Sequence, residues 1–324
     1  IDIKSPHSST TLGKKYFADE KISEAAIESL KEYSSKWKNF PIEKKVEICL
    51  KFADLIEENT NDIIEICAKE SGKSIKNSIA EIREAVDFCR YYSKEALNLF
   101  QIQTLKGPTG ELNQYRMIGK GLSFVISPWN FPVAIFVGQT VAALITGNVV
   151  ITKPAEQSSF AAYYIIKLLL KAGLPNNAIA LLLGDGALIG KKVINDKKLK
   201  NVIFTGSLET AKIIQSTLQQ KENIPTFVAE TGGLNCMIVD TSALTEHVVK
   251  DVVNSGFDSA GQRCSACRIL CVEENVYDHT KHTLIGAMKT QQVGNPEELS
   301  TDIGPVIDTE AFENINNHIK KFDK

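Results

Sequence analysis

Leu122-Ser123-Phe124-Val125-Ile126-Ser127-Pro128-Trp129-Asn130-Phe131-Pro132 is a short apolar run that breaks into a loop bounded by prolines. It is answered by Asn148-Val149-Val150-Ile151-Thr152-Lys153-Pro154-Ala155-Glu156. Short apolar runs with little polar alternation suit strands buried on both faces. Strands are expected over Leu122–Ile126 and Asn148–Thr152 here, and further on at Ala178–Leu183, Asn201–Phe204, Thr226–Ala229 and Cys236–Val239. Helical spacing fills the intervals over Val133–Ile145, Phe160–Ala172, Leu188–Asn195 and Leu208–Gln219. This alternation predicts an α/β fold with a Rossmann-type parallel sheet covered on both faces, in which ligands bind where strands end.

Upstream, apolar residues recur at helical spacing from Ser23 to Phe100, as in Ile27, Leu30 and Trp37, then Val46, Leu50, Ala53 and Ile56, then Ile79, Ile82, Val86 and Cys89. Phe40-Pro41 and Ser71-Gly72-Lys73 break the pattern, which predicts a helical N-terminal region over 20–100. The charge-rich stretch Lys14–Lys38 reads as solvated helix faces. Over 101–119 two short runs flank Gly107-Pro108-Thr109-Gly110, the signature of a protruding β-hairpin. Its exposed backbone edges call for a covering partner, another subunit or domain.

Downstream of Asp240, a helix over Glu246–Phe257 leads into Ser259-Ala260-Gly261-Gln262-Arg263-Cys264-Ser265-Ala266-Cys267-Arg268, followed by a strand at Ile269–Val272 and helices at Tyr277–Gln291 and Thr309–Lys321. The alternation does not return before Lys324. The expected organisation is a cofactor domain over 1–230, Rossmann-like from 120, and an incomplete, C-terminally truncated α/β catalytic domain over 231–324.

Apolar residues make up 43% and charged residues 23% of the 324 residues, too polar for membrane insertion. A net charge of −2 gives no electrostatic case for nucleic acid. Seven cysteines, an odd number without a secretory leader, point to a reducing, cytoplasmic setting. Cys264 and Cys267 form a lone Cys-x-x-Cys with no second pair, and the five histidines form no motif, so no metal is expected. Under oxidant the same pair is a candidate disulfide that would silence Cys264.

The chemistry-bearing residues lie at expected strand ends. Cys264, in a polar loop, is a candidate nucleophile, although a free cysteine is more often a buried packing residue. Asn130 offers an amide N–H to a developing oxyanion, or bonds its own turn. Glu230, after Thr226–Ala229 and before Gly232-Gly233, suits a general base or a helix cap. Lys153 and Glu156 can hold the hydroxyls of an adenine ribose or form a surface ion pair. In the first case Glu156 would repel a 2′-phosphate and favour NAD over NADP. Gly184-Asp185-Gly186-Ala187-Leu188-Ile189-Gly190 and Phe204-Thr205-Gly206-Ser207 each link a strand to a helix, where glycines admit a dinucleotide or simply turn the chain.

Together these motifs resemble the aldehyde dehydrogenase superfamily from about Ile22 to Lys324. Within it, Gly107-Pro108-Thr109-Gly110-Glu111, Ala229-Glu230-Thr231-Gly232-Gly233-Leu234-Asn235, Ser259–Ala266 and Ser300-Thr301-Asp302-Ile303-Gly304-Pro305-Val306-Ile307-Asp308 look most like the glutamate-semialdehyde (Δ¹-pyrroline-5-carboxylate) dehydrogenase half of bacterial bifunctional proline utilization A enzymes. The resemblance implies an NAD-dependent oxidation of L-glutamate γ-semialdehyde to L-glutamate through a cysteine thiohemiacetal and thioester. Another semialdehyde, such as succinate semialdehyde, or a catalytically silent NAD-binding piece remains an alternative. It makes Cys264 the nucleophile, Asn130 the oxyanion donor and Glu230 the base. The NAD site would include Ile126, Ser127, Pro128, Trp129, Lys153, Ala155, Glu156, Gly186, Gly190, Phe204, Gly206, Ser207 and Gly232. Phe131, Arg263 and Ser265 would meet the aldehyde. FAD is expected only in a proline dehydrogenase half that these residues do not contain, and the hairpin would serve a homo-oligomer or pack on that half. Ala211 stands where many members carry a second glycine, and the family's later Glu-x-Phe-Gly-Pro segment, substrate-anchoring loop and last oligomerisation strand would lie beyond Lys324.

Overall fold

The structure, a computed structural model, describes residues 1–321. In chain order its elements are β1 (Asp2–Lys4), β2 (Thr11–Lys14), α1 (Glu20–Lys38), α2 (Ile42–Glu58), α3 (Thr60–Ser71), α4 (Ile75–Leu99), β3 (Gln103–Leu105), β4 (Asn113–Tyr115), β5 (Leu122–Ser127), α5 (Ala134–Ile145), β6 (Val149–Pro154), α6 (Ser159–Ala172), β7 (Ile179–Leu181), α7 (Gly186–Ile194), β8 (Leu199–Gly206), α8 (Leu208–Gln219), β9 (Thr226–Thr231), β10 (Asn235–Val239), α9 (Thr245–Phe257), β11 (Cys267–Val272), α10 (Glu274–Lys289) and α11 (Thr309–Ile319). Helix starts follow local chemistry. Asp19, Asp185, Ser207 and Asp308 accept from the N–H three residues on and cap α1, α7, α8 and α11.

Two compact units divide the chain. One comprises Ile1, Lys15–Thr60 and Glu81–Glu230; the other comprises Asp2–Lys14, Asn61–Ala80 and the residues from Thr231 onward. The helical region expected over 20–100 is therefore shared, because an amphipathic period shows that a helix has a buried face and not which core receives it. The last three residues of the expected catalytic domain lie outside the described residues.

The first unit is built on a five-stranded sheet in the order β7-β6-β5-β8-β9. β5 pairs parallel with β6 and with β8, and β6 pairs parallel with β7. The chain moves outward from β5 through β6 to β7, then returns to lay β8 on the other side of β5. That reversal is a topological switch point, where strand ends part to leave a crevice. β6 is buried along its whole length and β5 at all but Ile126, so residues such as Phe124 and Ile151 each contribute about 1.5–3 kcal/mol. β9 differs from the expected buried strand: it is the edge strand, and four of its six residues, Glu230 among them, are exposed. β3 and β4 form the antiparallel hairpin, exposed along nearly all of both strands.

In the second unit β10 pairs parallel with β11 in a separate two-stranded sheet, so Cys236–Val239 does not extend the larger sheet as the alternation suggested. An antiparallel pair, β1 with β2, was not expected, because strands this short carry no readable period.

Lys45 in α2 shows how tightly the first unit is packed. Its Nζ donates to the carbonyl of Lys38 at the end of α1 (3.3 Å) and stands 5.4 Å from the Trp37 ring centroid. The Trp37 indole N–H donates to the carbonyl of Leu144 at the end of α5 (3.0 Å). Lys45 is only 4% exposed, and burial lowers its pKa from 10.5 to about 8. Below pH 8 the ammonium is present folded and unfolded, so the folded state bears the full desolvation cost. Between pH 8 and 10.5 the unfolded chain binds more protons, so stability rises with pH. Denaturant midpoints at pH 7.5 and 9.5 should therefore show a gain at the higher pH that is missing in Lys45→Met; an equal gain in both proteins would remove this account.

Candidate active site

In the first unit the sheet register gathers the expected cofactor residues. Ile126 is flanked by Lys153 on one side and Phe204 on the other, and Ser127 lies beside Pro154. Because the pairing is parallel, the Pro128–Phe131 loop, the Ala155-Glu156 turn and Gly206-Ser207 all leave the same edge of the sheet. The Ala155 N–H donates to the carbonyl of Ser127 (2.9 Å), tying the first two together. Gln139 in α5 spans the switch point: Ser127 Oγ donates to its Oε1 (2.9 Å), while its Nε2 donates to Thr205 Oγ1 (2.6 Å).

Lys153 is 4% exposed, and its Nζ donates to Glu156 Oε1 (2.9 Å) and to the carbonyl of Pro154 (3.1 Å). The Glu156 carboxylate is 39% exposed. A buried cation thus orients a carboxylate that still faces solvent. Gly186 opens α7 beside this pair: a Cβ there would stand 3.5 Å from Lys153 Cε and 3.8 Å from Glu156 Oε1. Lysine, glutamate and glycine, picked from separate motifs, surround one small open cradle. It suits a ribose that offers hydroxyls to both charged groups while its backbone runs past a residue without a side chain. Gly190, one turn further into α7, is buried. Buried Lys15 supports the turn from beneath, donating to the carbonyl of Glu156.

Phe204 is 3% exposed, and a Gly206 Cβ would stand 2.6 Å from its Cζ, so any side chain there would require the buried ring to move. Ser207 caps α8 through its Oγ (3.1 Å to Thr210 N), and Ala211 is buried within that helix. Trp129, Asn130 and Phe131 are half-buried in the loop before α5. Buried Glu81 anchors that loop from below, its Oε1 accepting from the N–H groups of Val133 (2.7 Å) and Ala134 (3.1 Å). A carboxylate there also faces the positive end of the α5 dipole.

In the second unit Cys264 and Ser265 are exposed at the centre of a β-turn closed by the Ala266 N–H donating to Arg263 O (3.2 Å). The approach is strained: Ser259 and Ala260 both have φ +55, followed by Gly261 at +69. Side chains outside the turn hold it. Asn235 Nδ2 donates to the carbonyls of Cys264 (2.7 Å) and Ala266 (3.1 Å), and Ser255 Oγ accepts from Cys267 N (3.0 Å). Arg268 Nη2 donates to Gly261 O (2.6 Å), and Gln262 Oε1 accepts from Ile307 N (2.9 Å). Arg263 Nη1 lies 3.9 Å from Asp258 Oδ2. Among the described residues no hydrogen bond takes the backbone N–H of Cys264. Cys264 and Cys267 are free thiols, Cys267 Sγ contacting the carbonyl of Ile269 (3.4 Å). Gly232 is exposed just after β9.

Gln139, Glu81, Lys15 and Ser255 carry no motif of their own and were not singled out in sequence. Asn235, Gln262 and Arg268 stand inside quoted motifs, yet only the fold shows what they hold. Among the described residues no group of three His, Cys, Asp or Glu is placed to bind a metal ion, and no helix is long and apolar enough to cross a membrane.

The chain belongs to the aldehyde dehydrogenase family, whose sequence profile matches residues 1–324. It is 44% identical over 308 residues to the bifunctional protein PutA of Salmonella typhimurium, covering 94% of this chain and 22% of that protein. It is 33% identical over 328 residues to a 1-pyrroline-5-carboxylate dehydrogenase of Anoxybacillus flavithermus, covering 99% of this chain and 63% of that one. The crystal structure of proline utilization A from Bdellovibrio bacteriovorus, inactivated by N-propargylglycine, superposes with a TM-score of 0.96 at 32% identity, over 100% of this chain and 34% of that one. The α/β architecture, parallel sheet and helical N-terminal region are those of this family's structures.

Gly261 generates a direct test. Any Cβ there would lie 2.8 Å from the carbonyl oxygen of Gly256, on a backbone at φ +69. Gly261→Ala should lower stability by about 1–3 kcal/mol and displace the Cys264 turn. Denaturation, together with the rate of thiol alkylation by iodoacetamide, checks this; unchanged values for both would show that the turn tolerates a side chain.

Proposed function

We propose that this chain carries the chemistry of an NAD-dependent aldehyde oxidation, with L-glutamate γ-semialdehyde, the open form of Δ¹-pyrroline-5-carboxylate, as substrate and L-glutamate as product. That is the second step of proline catabolism. The observation that carries the reading is Cys264: an exposed thiol in a turn fastened by surrounding side chains, its own N–H taken by no hydrogen bond among the described residues. The names of the PutA and 1-pyrroline-5-carboxylate dehydrogenase relatives support the substrate. The division into a cofactor domain over 1–230 and a catalytic domain over 231–324 belongs to the same proposal.

NAD fits the cradle of Lys153, Glu156 and Gly186, and when bound supplies the hydride acceptor. Lys153 and Glu156 hold the adenine ribose, and the Glu156 carboxylate disfavours a 2′-phosphate. Ile126, Ser127, Pro128, Trp129, Ala155, Gly190, Phe204, Gly206, Ser207 and Gly232 complete that site. The Cys264 thiolate adds to the aldehyde carbon. The family resemblance gives the resulting oxyanion two donors, the Cys264 N–H and the Asn130 amide, each of a kind worth about 10²–10³ in rate. Loss of hydride leaves a thioester on Cys264. Glu230, whose exposure leaves it open to water, takes a proton from the attacking water, and hydrolysis releases the acid and restores the thiol. The same resemblance assigns Phe131, Arg263 and Ser265 to the aldehyde, with Ser265 and Arg263 suited to a substrate carboxylate.

The exposed side chains Ile102, Leu105, Leu112 and Tyr115 on and beside the hairpin support a covering partner, a second copy or a proline dehydrogenase domain. Any FAD would belong to that second domain. A cytoplasmic setting suits the reduced thiols.

NADH formation by the whole protein, with glutamate and succinate semialdehydes compared by kcat/KM, tests the substrate; preference for the second aldehyde overturns it. Cys264→Ala should abolish turnover. Glu230→Ala should release a single burst of NADH and then stall, and a burst-free protein that still binds NAD would reassign Glu230.

A further inference from the structure

We infer that Asn235 is a positioning residue for the nucleophile, acting through the peptide that follows Cys264 and through the carbonyl that ends its turn. This rests on the reading of Cys264 as nucleophile. Cys264 and Ser265 are the two central residues of the turn that runs from Arg263 to Ala266. The Arg263–Cys264 peptide is fixed by the bond from Ala266 N to Arg263 O, which leaves the Cys264 N–H on the opposite side of that plane. The Cys264–Ser265 peptide is held by Asn235 Nδ2 at 2.7 Å from the Cys264 carbonyl oxygen.

The orientation of that central peptide is what separates the two commonest turn types. A flip moves ψ of the first central residue from about −30° to about +120° and φ of the second from about −90° to about +80°. Neither Cys264 nor Ser265 has a positive φ. The donor on Asn235 holds one orientation, and its second bond, to the carbonyl of Ala266 at 3.1 Å, fastens the far end of the turn to the same amide. With the Arg263–Cys264 peptide fixed by Ala266 N and the Cys264–Ser265 peptide by Asn235, both planes that meet at the Cys264 Cα are held, and the thiol and the N–H are carried on a backbone that cannot relax on the Asn235 side.

The sheet makes this reach possible. Asn235 pairs with Cys267, but the next pair is Cys236 with Ile269, so β11 carries one extra residue, Arg268, at that point. The bulge turns Arg268 back to the carbonyl of Gly261 and leaves Asn235 beside the turn. Asn235 is half-buried, so its two bonds are only partly exchangeable with water.

The test is steady-state kinetics of the whole protein with Asn235→Ala, Asn235→Asp and Asn235→His. Unfolding midpoints and NAD affinity are measured alongside, with Cys264→Ala as reference. Asn235→Ala should lose about 10–10²-fold in kcat, with the aldehyde KM within about threefold and NAD affinity unchanged. Asn235→Asp, which sets a carboxylate against two carbonyl oxygens, should lose more. Asn235→His, whose Nδ1–H matches the reach of Nδ2, should recover part of the loss at a midpoint no higher than that of the aspartate variant. A kcat within twofold of wild type in Asn235→Ala overturns the inference. So does a loss that follows the unfolding midpoint alone across all three variants, since that describes a merely structural residue. An active Cys264→Ala would instead refute the nucleophile, whereas a dead Cys264→Ala beside a fully active Asn235→Ala would refute only the positioning role.

Discussion

Parallel pairing of β5 with both β6 and β8 is the constraint on which the first unit depends. A parallel ladder delivers every strand end to one edge, and reversal of strand order at β5 opens that edge between two neighbours. The rung Lys153–Ile126–Phe204 shows the result: residues far apart in sequence become lateral neighbours because each is near the last residue of its strand. The buried Lys153 ammonium is tolerable there because a carboxylate and a carbonyl receive its protons.

The second unit solves a different problem. Its central turn follows three residues of left-handed backbone and has no regular structure of its own. The carbonyls of Gly261, Cys264 and Ala266 are satisfied by side chains from β10 and β11, while Ser255 of α9 accepts the Cys267 N–H. The strain is held by surrounding elements that are themselves regular, the usual arrangement for sparsely populated conformations at functional loops.

Periodicity made most of the fold legible. Apolar runs located β5, β6 and β8 to within one or two residues, and α8 over the same residues that the structure gives. Exposure was not legible: Thr226–Ala229 is as apolar as a central strand, yet four of the six β9 residues are exposed, while the other edge strand, β7, has none exposed. Nor did the pattern reveal that Cys236–Val239 changes sheet, since pairing partners leave no mark on a single strand. Lys153, Glu156 and Gly186 were each readable with an alternative beside them; their convergence emerged from the register. What Gln139, Glu81, Asn235 and Arg268 hold was hidden for a simpler reason. A polar side chain that serves another segment's backbone looks, in sequence, like any solvated residue.

The Gln139 amide has one further consequence. Its carbonyl oxygen accepts from Ser127 and its nitrogen donates to Thr205, so the two hydroxyls must play opposite parts across the crevice. Rotating the amide by half a turn would face like with like unless both hydroxyl protons reorient together. The joint between β5 and β8 therefore has a polarity, which gives its two sides a fixed sense of left and right before any ligand arrives.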